Sequence, residues 1–458
     1  MTEKINLSRM LENALAAHGS GDLFNANKEF RHVSVFFPGD STAWTMLGMY
    51  TSSEENSSIR AGHMFQRAAV CEPSSTAAIF NWAAWARDAQ HDLLASSLLQ
   101  RVLCLDPSEV RSFFLSGIIE QERGAYVAAE RRYERVLRLA PDHPEAHTNL
   151  GFIELAHGVF ESGWRNYEWR MRTALHAERH PIDPRYPLWT GGPIAGKTIL
   201  LTSEQGLGDT IQFVRYASKL ASDGARVVVR VDPSLSNLVS TLEGISAIDR
   251  NGQLSGVDYQ ASLMSLPGIF STNRTSIPYS TESYLHADRI LSDRWRTRLG
   301  SKTGFRIGVV WSGSTPRRVV ERSIPLSHFV RIFEGKTDIV ELICLQKEIW
   351  PRDVETLHKT SEIRFFGDEI ENFSDTAALI DQCELVITID TSVAHLSGAL
   401  GAETWLLLPY VADWRWLIDD DDSPWYPSVK IFRQRKTGDW PELIDRVQHR
   451  LNRRLSRS

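Results

Sequence analysis

The sequence lacks the features that would place the chain in a membrane or in an oxidising compartment. It contains no apolar run long enough to span a bilayer. Charged residues interrupt its beginning, MTEKINLSRMLENALAAHGS, which predicts an amphipathic helix and not a secretion signal. The four cysteines form no CxxC pair, so neither a zinc site nor a redox motif is indicated. We expect buried, reduced thiols and a cytoplasmic location.

An excess of positive charge is also absent. Lysine and arginine number 51 and aspartate and glutamate 57, which gives a net charge of −6. This balance argues against a nucleic-acid partner. The length of 458 residues is too great for one hydrophobic core and predicts two or three domains.

Prolines recur in the first part of the chain at an almost constant interval. Pro38, Pro73, Pro107 and Pro141 are 35, 34 and 34 residues apart, and 34 residues is the period of the TPR helix–turn–helix unit. An alanine precedes each proline by twelve residues, and a bulky residue precedes it by eight. These two sets are Ala26, Ala61, Ala95 and Ala129, and Phe30, Phe65, Leu99 and Tyr133. A close approach of the paired helices is indicated by Gly48, Gly117 and Gly151.

The predicted repeats are 7–40, 41–75, 76–109, 110–143 and 144–175, so residues 1–175 resemble an all-α TPR array. The last repeat lacks the closing proline. It carries instead Gly163, Trp164, Tyr167 and Trp169, which we expect to cap the stack against the next domain. TPR arrays bind peptides or proteins, so a protein partner is expected; a spacer or a dimerisation surface are the alternatives.

A change of pattern follows the repeats. Residues 176–196 are rich in proline and glycine and form a linker or a docking segment. Strands are then predicted at Ile199–Thr202 and Arg226–Val231, with a helix at Thr210–Ser222 between them. Such a β–α–β unit is typical of a parallel sheet, and we assign residues 197–300 to a first α/β lobe.

The turn SEQGLGD after the first of these strands is a candidate ligand loop. Gly206 and Gly208 are expected to let the backbone approach a ligand. Ile211 occupies the place of the third glycine of a dinucleotide fingerprint, so NAD binding is not favoured and no cofactor is expected. Asp209 has two interpretations, a helix N-cap or a general base that faces a cleft.

Residues 301–458 predict a second α/β lobe, because short apolar strands again alternate with helices. The predicted strands are Arg306–Trp311, Glu341–Leu345, Arg364–Phe366, Leu385–Asp390 and Thr404–Leu408. The predicted helices lie near Phe329–Phe333, Asp353–His358, Asp375–Cys383 and Ser392–Leu400. A cleft between the carboxyl ends of the strands of the two lobes is the expected ligand site.

The segment DTSVAH is the strongest candidate within this lobe. A buried strand ends at Asp390, and Thr391 and Ser392 begin a helix that carries His395. Free backbone N–H groups and hydroxyls at such a place suit a diphosphate. An ordinary capped helix is the alternative.

Four motifs, SEQGLGDTIQF, RIGVVWSG, ERSIPL and DTSVAHLSGALG, together resemble the ADP-heptose:lipopolysaccharide heptosyltransferases and their TPR-linked bacterial relatives. The resemblance covers roughly residues 197–455. It implies a GT-B fold of two Rossmann-like lobes, an acceptor lobe followed by a donor lobe, a nucleotide-sugar donor and an inverting transfer without a metal. The combination of domains also resembles bacterial flagellin glycosyltransferases and, more distantly, the O-GlcNAc transferases.

The resemblance assigns the catalytic base to Asp209 and the donor-phosphate loop to Asp390, Thr391, Ser392 and His395. Where the heptosyltransferases have a lysine before a Trp-Pro pair, this chain has Arg322 before Ser-Ile-Pro. The fork of an arginine also suits a phosphate, but the identity of the donor stays open. The remaining substrate-binding candidates are Gly206, Gly208, Gln212 and Ser312.

The end of the chain is rich in tryptophan and aspartate. The run Asp419–Asp422 lacks the spacing of an EF-hand loop and is expected to be a solvated loop that binds no metal. Trp414, Trp416 and Trp425 either pack the lobe or stack on a sugar, and packing is favoured.

We therefore expect a glycosyltransferase that modifies an acceptor hydroxyl, on a protein such as flagellin. A non-catalytic TPR scaffold with a degenerate GT-B domain is one alternative. A lipopolysaccharide heptosyltransferase is the other.

Overall fold

The computed structural model describes residues 2–53, 58–250, 252, 254–313, 322–336 and 338–456. The chain divides into two compact units, Met1–Leu150 and Gly151–Ser458. Across the described ranges, no helix combines the length and the apolar character that crossing a membrane requires.

The first unit is built from antiparallel helix pairs at the predicted repeats. Each predicted proline stands in the turn two residues after the second helix of a pair, because proline does not continue a helix. The pairs are α1 (Thr2–Gly19) and α2 (Leu23–Phe36), α3 (Ser41–Ser52) and α4 (Ser58–Cys71), α5 (Thr76–Asp88) and α6 (Asp92–Leu105), and α7 (Val110–Glu122) and α8 (Tyr126–Leu139).

Small residues allow the two helices of a pair to approach closely. The four alanines that precede the prolines by twelve residues are fully buried. A Cβ added at Gly48 would lie 2.8 Å from the Phe65 ring, and one at Gly117 would lie 2.6 Å from the Tyr133 ring. The TPR-like period therefore has a steric cause, since each glycine faces a large ring.

The prediction of buried cysteines is only partly right. Cys344 is buried, Cys71 and Cys383 are partly buried, and Cys104 is exposed. The prediction fails for Cys104 because this residue lies in the last turn of α6, on the solvent side of that helix.

The fifth pair consists of α9 (Pro144–Ala156) and α10 (Phe160–Tyr167), followed by a 3-10 helix (Glu168–Arg172) and α11 (Ala174–Arg179). The division between the two compact units falls within α9, earlier than the predicted end of the repeats at residue 175. Trp164 is buried, donates its Nε1–H to the Thr272 carbonyl at 2.8 Å and packs edge-on against Trp414. The aromatic residues of this pair thus pack against the α/β region, as the sequence predicts.

Residues 176–196 dock onto that region, which is one of the two predicted alternatives. Tyr186 and Trp189 are buried. The Trp189 N–H donates to the Gln260 carbonyl at 2.8 Å, and the Gln260 N–H donates to the Pro187 carbonyl at 2.9 Å. The segment therefore continues the edge of the neighbouring sheet.

Two parallel sheets form the core of the second unit. The first has the order β3-β2-β1-β4, with β1 (Thr198–Thr202), β2 (Arg226–Arg230), β3 (Ile245–Ile248) and β4 (Tyr259–Ser262). The second has the order β10-β9-β8-β5-β6-β7, with β5 (Phe305–Val310), β6 (Val340–Cys344), β7 (Ile363–Phe365), β8 (Leu385–Ile389), β9 (Thr404–Leu408) and β10 (Val429–Arg433). The predicted strands are present within one residue at each end. The sequence missed β3, β4 and β10, because none of these strands has a continuous apolar run.

Helices connect the strands. They are α12 (Leu207–Phe213), α13 (Arg215–Ser222), α14 (Pro233–Val239), α15 (Leu266–Ile269), α16 (Arg289–Leu299), α17 (Leu326–Phe329), α18 (Pro351–Lys359), α19 (Phe373–Ile380), α20 (Ser392–Ala399) and α21 (Trp440–Leu455). The sequence placed α16 with the first sheet, but its Trp295 is buried and donates to Asp375 of α19 at 3.0 Å. This helix therefore packs with the second sheet.

The tryptophans near the end of the chain pack the interior. Trp414, Trp416 and Trp425 are all buried, which excludes stacking on an exposed sugar in this arrangement. In the acidic run, Asp420 pairs with Arg274 at 2.8 Å and Asp422 with Lys430 at 2.9 Å.

Candidate functional site

The SEQGLGD turn leaves the carboxyl end of β1 and leads into α12. The N-cap of α12 is Gly206, and Asp209 is the third residue of the helix. The Asp209 carboxylate accepts the Gly206 N–H at 2.7 Å, which is the side-chain half of a capping box. The structure corrects the N-cap interpretation of Asp209: Gly206 is the N-cap, and the Asp209 carboxylate binds its N–H from inside the first turn.

The other carboxylate oxygen of Asp209 meets Arg415. The distance from Arg415 Nη2 to Asp209 Oδ1 is 2.5 Å, and Arg415 Nη1 also contacts Asp413 at 2.8 Å. Burial raises the pKa of Asp209, while the positive charge of Arg415 and the Gly206 N–H act in the opposite direction. Arg415 therefore contacts two carboxylates, those of Asp209 and Asp413.

Gly208 has a packing role in addition to the predicted approach to a ligand. A Cβ at this position would lie 2.7 Å from Cδ2 of His395 and 3.4 Å from Cα of Ser392. Only a residue without a side chain lets α12 pass so close to α20. The glycine therefore holds together the two helices that follow β1 and β8.

The DTSVAH segment forms the other side of the site. Asp390 follows β8 and is almost fully buried, Thr391 is the N-cap and Ser392 begins α20. Burial, reinforced by the negative charge of Asp413, raises the pKa of Asp390 to about 6, although Arg322 acts in the opposite direction. The Oγ1 atom of Thr391 is buried and has no hydrogen-bond partner within the described residues.

His395 lies one turn into α20 and belongs to the interior. Its Nδ1 is 3.1 Å from the Tyr426 hydroxyl, and its ring stacks on Trp416 with the centroids 5.0 Å apart. Burial lowers the pKa of His395 well below its usual value, and the charges of Arg415 and Arg215 act in the same direction. Burial and these two charges thus favour the neutral form of the imidazole over the protonated form.

Two further predicted residues follow β5. Ser312 is buried, and its hydroxyl accepts a hydrogen bond from Gln346 Nε2 at 2.8 Å. Arg322 Nη1 lies 4.0 Å from Asp390 Oδ2, and the Arg322 Nε has no hydrogen-bond partner in the described part of the chain. Glu321, the first residue of the ERSIPL motif, lies outside the described residues, and so does Ser314, which follows the RIGVVWSG motif.

A cleft of about 800 Å³ brings these groups together at the carboxyl ends of both sheets. Nine of the ten predicted site residues line it, and this set is Gly206, Gly208, Asp209, Ser312, Arg322, Asp390, Thr391, Ser392 and His395. The prediction for Gln212 is corrected: this residue of α12 is fully buried and does not line the cleft. Its amide has no hydrogen-bond partner among the described residues.

The sequence missed several residues of the cleft. Arg415 and Asp413 come from the loop after β9, and Gln346, Lys347 and Trp350 come from the segment after β6. Their common signal is a position just after a parallel strand, where ligand contacts concentrate. That signal was available for β6 and β9, which the sequence had predicted.

A buried charge network anchors the SEQGLGD turn from behind. Glu204 accepts from Arg170 at 3.0 and 2.5 Å and from the Ser262 hydroxyl at 2.6 Å. Arg170 belongs to the 3-10 helix after the fifth pair, and both charged side chains are buried. The neighbouring Gln205 has a positive φ of 61° and donates to the Tyr167 hydroxyl at 3.1 Å. The fifth pair therefore fixes the conformation of the turn.

Comparison with known proteins gives partial similarities. No protein-family model matches this chain. Protein FlbA of Caulobacter vibrioides is 23% identical over 297 residues, which cover 58% of this chain and 48% of that protein. The chain thus spans about half the length of this curated relative.

Solved structures resemble part of the chain. The crystal structure of MamA has a TM-score of 0.33 and 15% identity, and covers 40% of this chain and 98% of that one. PilF of Pseudomonas aeruginosa has a TM-score of 0.35 and 14% identity, with coverages of 38% and 78%. YrrB, a TPR protein with an unusual peptide-binding site, has a TM-score of 0.30 and 18% identity, with coverages of 36% and 88%.

Proposed function

We propose that the second unit is a GT-B glycosyltransferase that moves a sugar from a nucleotide-diphosphate donor to an acceptor hydroxyl. The observation that carries this proposal is the cleft, in which Asp209 from the first sheet meets Asp390, Thr391 and Arg322 from the second. Its volume of about 800 Å³ lies in the range of small-molecule sites. In this proposal the two sheets are Rossmann-like lobes.

The second sheet is proposed to hold the donor. The first turn of α20 leaves backbone N–H groups without intrahelical partners, and such a terminus favours phosphate oxygens. The unpartnered Thr391 hydroxyl and Arg322 Nε are further donors at the same place. Together they would stabilise the nucleoside diphosphate as its bond to the sugar breaks.

The first sheet is proposed to activate the acceptor. Asp209 takes the proton of the acceptor hydroxyl, whose oxygen forms the new bond to the anomeric carbon while the bond to the diphosphate breaks. Arg415 remains balanced by Asp413 when Asp209 becomes neutral, since it contacts both carboxylates. This exchange keeps the buried charges paired during the reaction.

The acceptor is proposed to be a protein, such as a flagellin, bound through the helical array. The support is the presence of a TPR-like array and a cleft with donor-type groups in one chain. Transfer is proposed to need no metal, because the α20 terminus and Arg322 supply positive charge to the diphosphate.

The test is to measure binding and hydrolysis of UDP-, GDP- and ADP-linked sugars by the full chain, with and without EDTA. We expect one donor class to bind and to be hydrolysed or transferred equally well after chelation. Loss of activity in EDTA that Mg²⁺ or Mn²⁺ restores would contradict the metal-free assignment. A failure of all donors to bind would contradict the glycosyltransferase itself.

A second candidate is a scaffold that binds the nucleotide but transfers nothing. It is favoured by the engagement of both Asp209 oxygens, one by Arg415 and one by the Gly206 N–H. Donor binding without hydrolysis or transfer, in the presence of candidate acceptor proteins, would select this candidate.

A further inference from the structure

Exposed hydrophobic side chains in the helical array recur at one position of the repeat. Phe24, Ile59, Leu93 and Val127 are each the second residue of the second helix of a pair, and they are 35, 34 and 34 residues apart. Their side chains are 82%, 76%, 77% and 60% exposed. We call these four residues the apolar row.

The apolar row contributes nothing to the core of the repeats. The buried alanine of each pair stands two residues further along the same helix, and it makes the contact that the fold requires. Large exposed apolar groups in a regular arrangement mark interaction sites more often than packing. In the fifth pair the corresponding residue is the exposed Glu161, so the row ends with the fourth pair.

A second set of exposed apolar residues extends this face. Val35 and Val70 are 72% and 62% exposed and stand eleven residues after Phe24 and Ile59. Eleven residues are close to three helical turns, so both members of each pair point to the same side of the helix. The face is therefore apolar at both ends of α2 and α4.

The same helices carry a marked positive charge. Helices α2, α4, α6 and α8 contain nine lysines and arginines and four carboxylates, a net charge of +5 in a chain of net charge −6. Helices α1, α3, α5 and α7 have a net charge of −1. On the face of the row itself, four basic residues stand four, seven or eleven residues after Phe24 or Val127, beside one carboxylate: Lys28, Arg31, Arg131 and Arg138, with Glu134. A second copy that docked through this face would bring like charges together, so the charge favours an acidic partner.

A groove next to the apolar row favours a protein over a lipid surface. It has a volume of about 790 Å³ between α4 and the start of α6, and its lining includes Leu93 of the row, His63, Trp82 and Trp85. Aromatic-lined grooves accept the anchoring side chains of protein partners. A bilayer presents no such side chain, whereas an amphipathic helix does.

We propose that the apolar row and its groove bind an acidic amphipathic segment of a partner protein. Apolar residues of the segment lie on the row and in the groove, and its carboxylates face the basic residues of α2 and α8 that share the face of the row. This surface goes beyond the proposed transfer reaction, because it does not depend on whether the cleft transfers a sugar.

The experiment measures binding of fluorescein-labelled peptides to the full chain by anisotropy. The probe is an amphipathic helical peptide of about 20 residues, about 30 Å long, with leucine on one face and glutamate on the other. A second peptide has lysine in place of glutamate. The variant Ile59→Gln/Leu93→Gln removes the centre of the row. The matched control, Leu15→Gln/Met49→Gln, removes exposed apolar residues of the first helices α1 and α3.

We expect the acidic peptide to bind the wild-type chain, more weakly at high salt, and the lysine peptide not to bind. The row variant should bind the acidic peptide about tenfold more weakly or worse, and the control variant should match wild type. Absence of binding, equal binding of the two peptides, or equal loss in both variants would overturn the proposal. Row-dependent binding to phosphatidylserine vesicles without peptide binding would assign the face to a membrane instead. Circular dichroism checks that both variants are folded.

Discussion

The two units of this protein place their close contacts at very different distances along the chain. In the helical array, Gly48 meets Phe65 and Gly117 meets Tyr133, each partner lying in the next helix. In the α/β region, Gly208 meets His395, and Asp209 meets Arg415. Local contacts repeat and leave a period in the sequence, whereas the contacts of the cleft occur once and leave none. The array can therefore be predicted from the spacing of residues in the sequence, whereas the contacts of the cleft become apparent only in the folded structure.

The fifth helix pair lies between these two cases. Its helices continue the 34-residue period, with Gly151 against the backbone of Tyr167. Its end, however, contributes Arg170 to the buried network around Glu204. A segment that the period assigns to the repeats thus supports the turn that carries Asp209.

The largest effect on the rate of transfer is expected at Asp209. This residue makes a local contact with Gly206 and a contact with Arg415, which is distant in the chain. Asp209→Asn keeps the shape of the side chain, and its amide oxygen still accepts the Gly206 N–H, but it no longer takes a proton. If Asp209 is the base, transfer should slow by about 10²–10⁴-fold while the donor still binds. Steady-state rates with the donor found in the binding experiment measure this.

The matched control is Asp232→Asn. Asp232 follows β2 of the first sheet, caps α14 and is exposed to solvent. The substitution should leave transfer unchanged. Near-normal turnover of Asp209→Asn would show that Asp209 only caps α12. Its role would then be the same as that of Asp232 at α14.

The next effect tests whether the end of the fifth pair belongs to the α/β region. Arg170→Met removes the cation from buried Glu204 and should lower the free energy of unfolding by about 3–5 kcal/mol. Urea denaturation followed by tryptophan fluorescence measures it. The matched control is Arg172→Met, an exposed residue of the same 3-10 helix, with an expected change within about 0.5 kcal/mol.

Adding Glu204→Gln to Arg170→Met should recover part of the loss, because the unpaired buried charge is then gone. Equal stability of Arg170→Met and Arg172→Met would mean that the network does not hold the turn.

A smaller loss of stability is expected from two glycine substitutions, one at a contact between residues distant in the chain and one at a local contact. Gly208→Ala forces a Cβ to within 2.7 Å of His395, and Gly48→Ala forces one to within 2.8 Å of Phe65. Both should destabilise their unit by about 1–3 kcal/mol, but only Gly208→Ala should also weaken binding of the donor. The control Gly39→Ala, with no atom within 4 Å of the new Cβ, should change neither. Unaltered donor binding in Gly208→Ala would separate the α12–α20 contact from the cleft.

The smallest effect concerns pH. Burial raises the pKa of Asp390 to about 6, above the value of about 4 in an unfolded chain. The folded state therefore holds this proton more tightly, and the associated stability is complete below pH of about 4 and is lost as the pH rises through about 6. We expect Asp390→Asn to remove a pH-dependent part of the unfolding free energy of at most about 3 kcal/mol in this window.

The exposed residue Asp368 provides the control, and Asp368→Asn should keep the wild-type pH dependence. Urea denaturation at several pH values between 4 and 7 measures both variants. Identical profiles for Asp390→Asn and wild type would show that Asp390 is not the group that titrates.

Much of the candidate site was predictable because its residues follow strands that the sequence reveals. Asp209 and Asp390 each come shortly after an apolar strand, β1 and β8. The position of Arg415 just after β9 could have been noticed, but its pairing with Asp209 could not be predicted, because the two residues are over two hundred positions apart. Gln212 was misassigned because membership of a motif does not show which side of a helix faces the cleft.

The sequence by itself determined the period of the helix pairs, the alternation of strands and helices and the residues at most strand ends, because each depends on neighbours close in the chain. The tertiary structure decided which of these residues meet. Packing of α12 against α20 brings Asp209 and Asp390 to one cleft, and burial then raises the pKa of both carboxyls. The tertiary structure also leaves the side chains of the apolar row exposed to solvent. Burial depends on what surrounds a side chain in space, and a linear pattern does not contain that information.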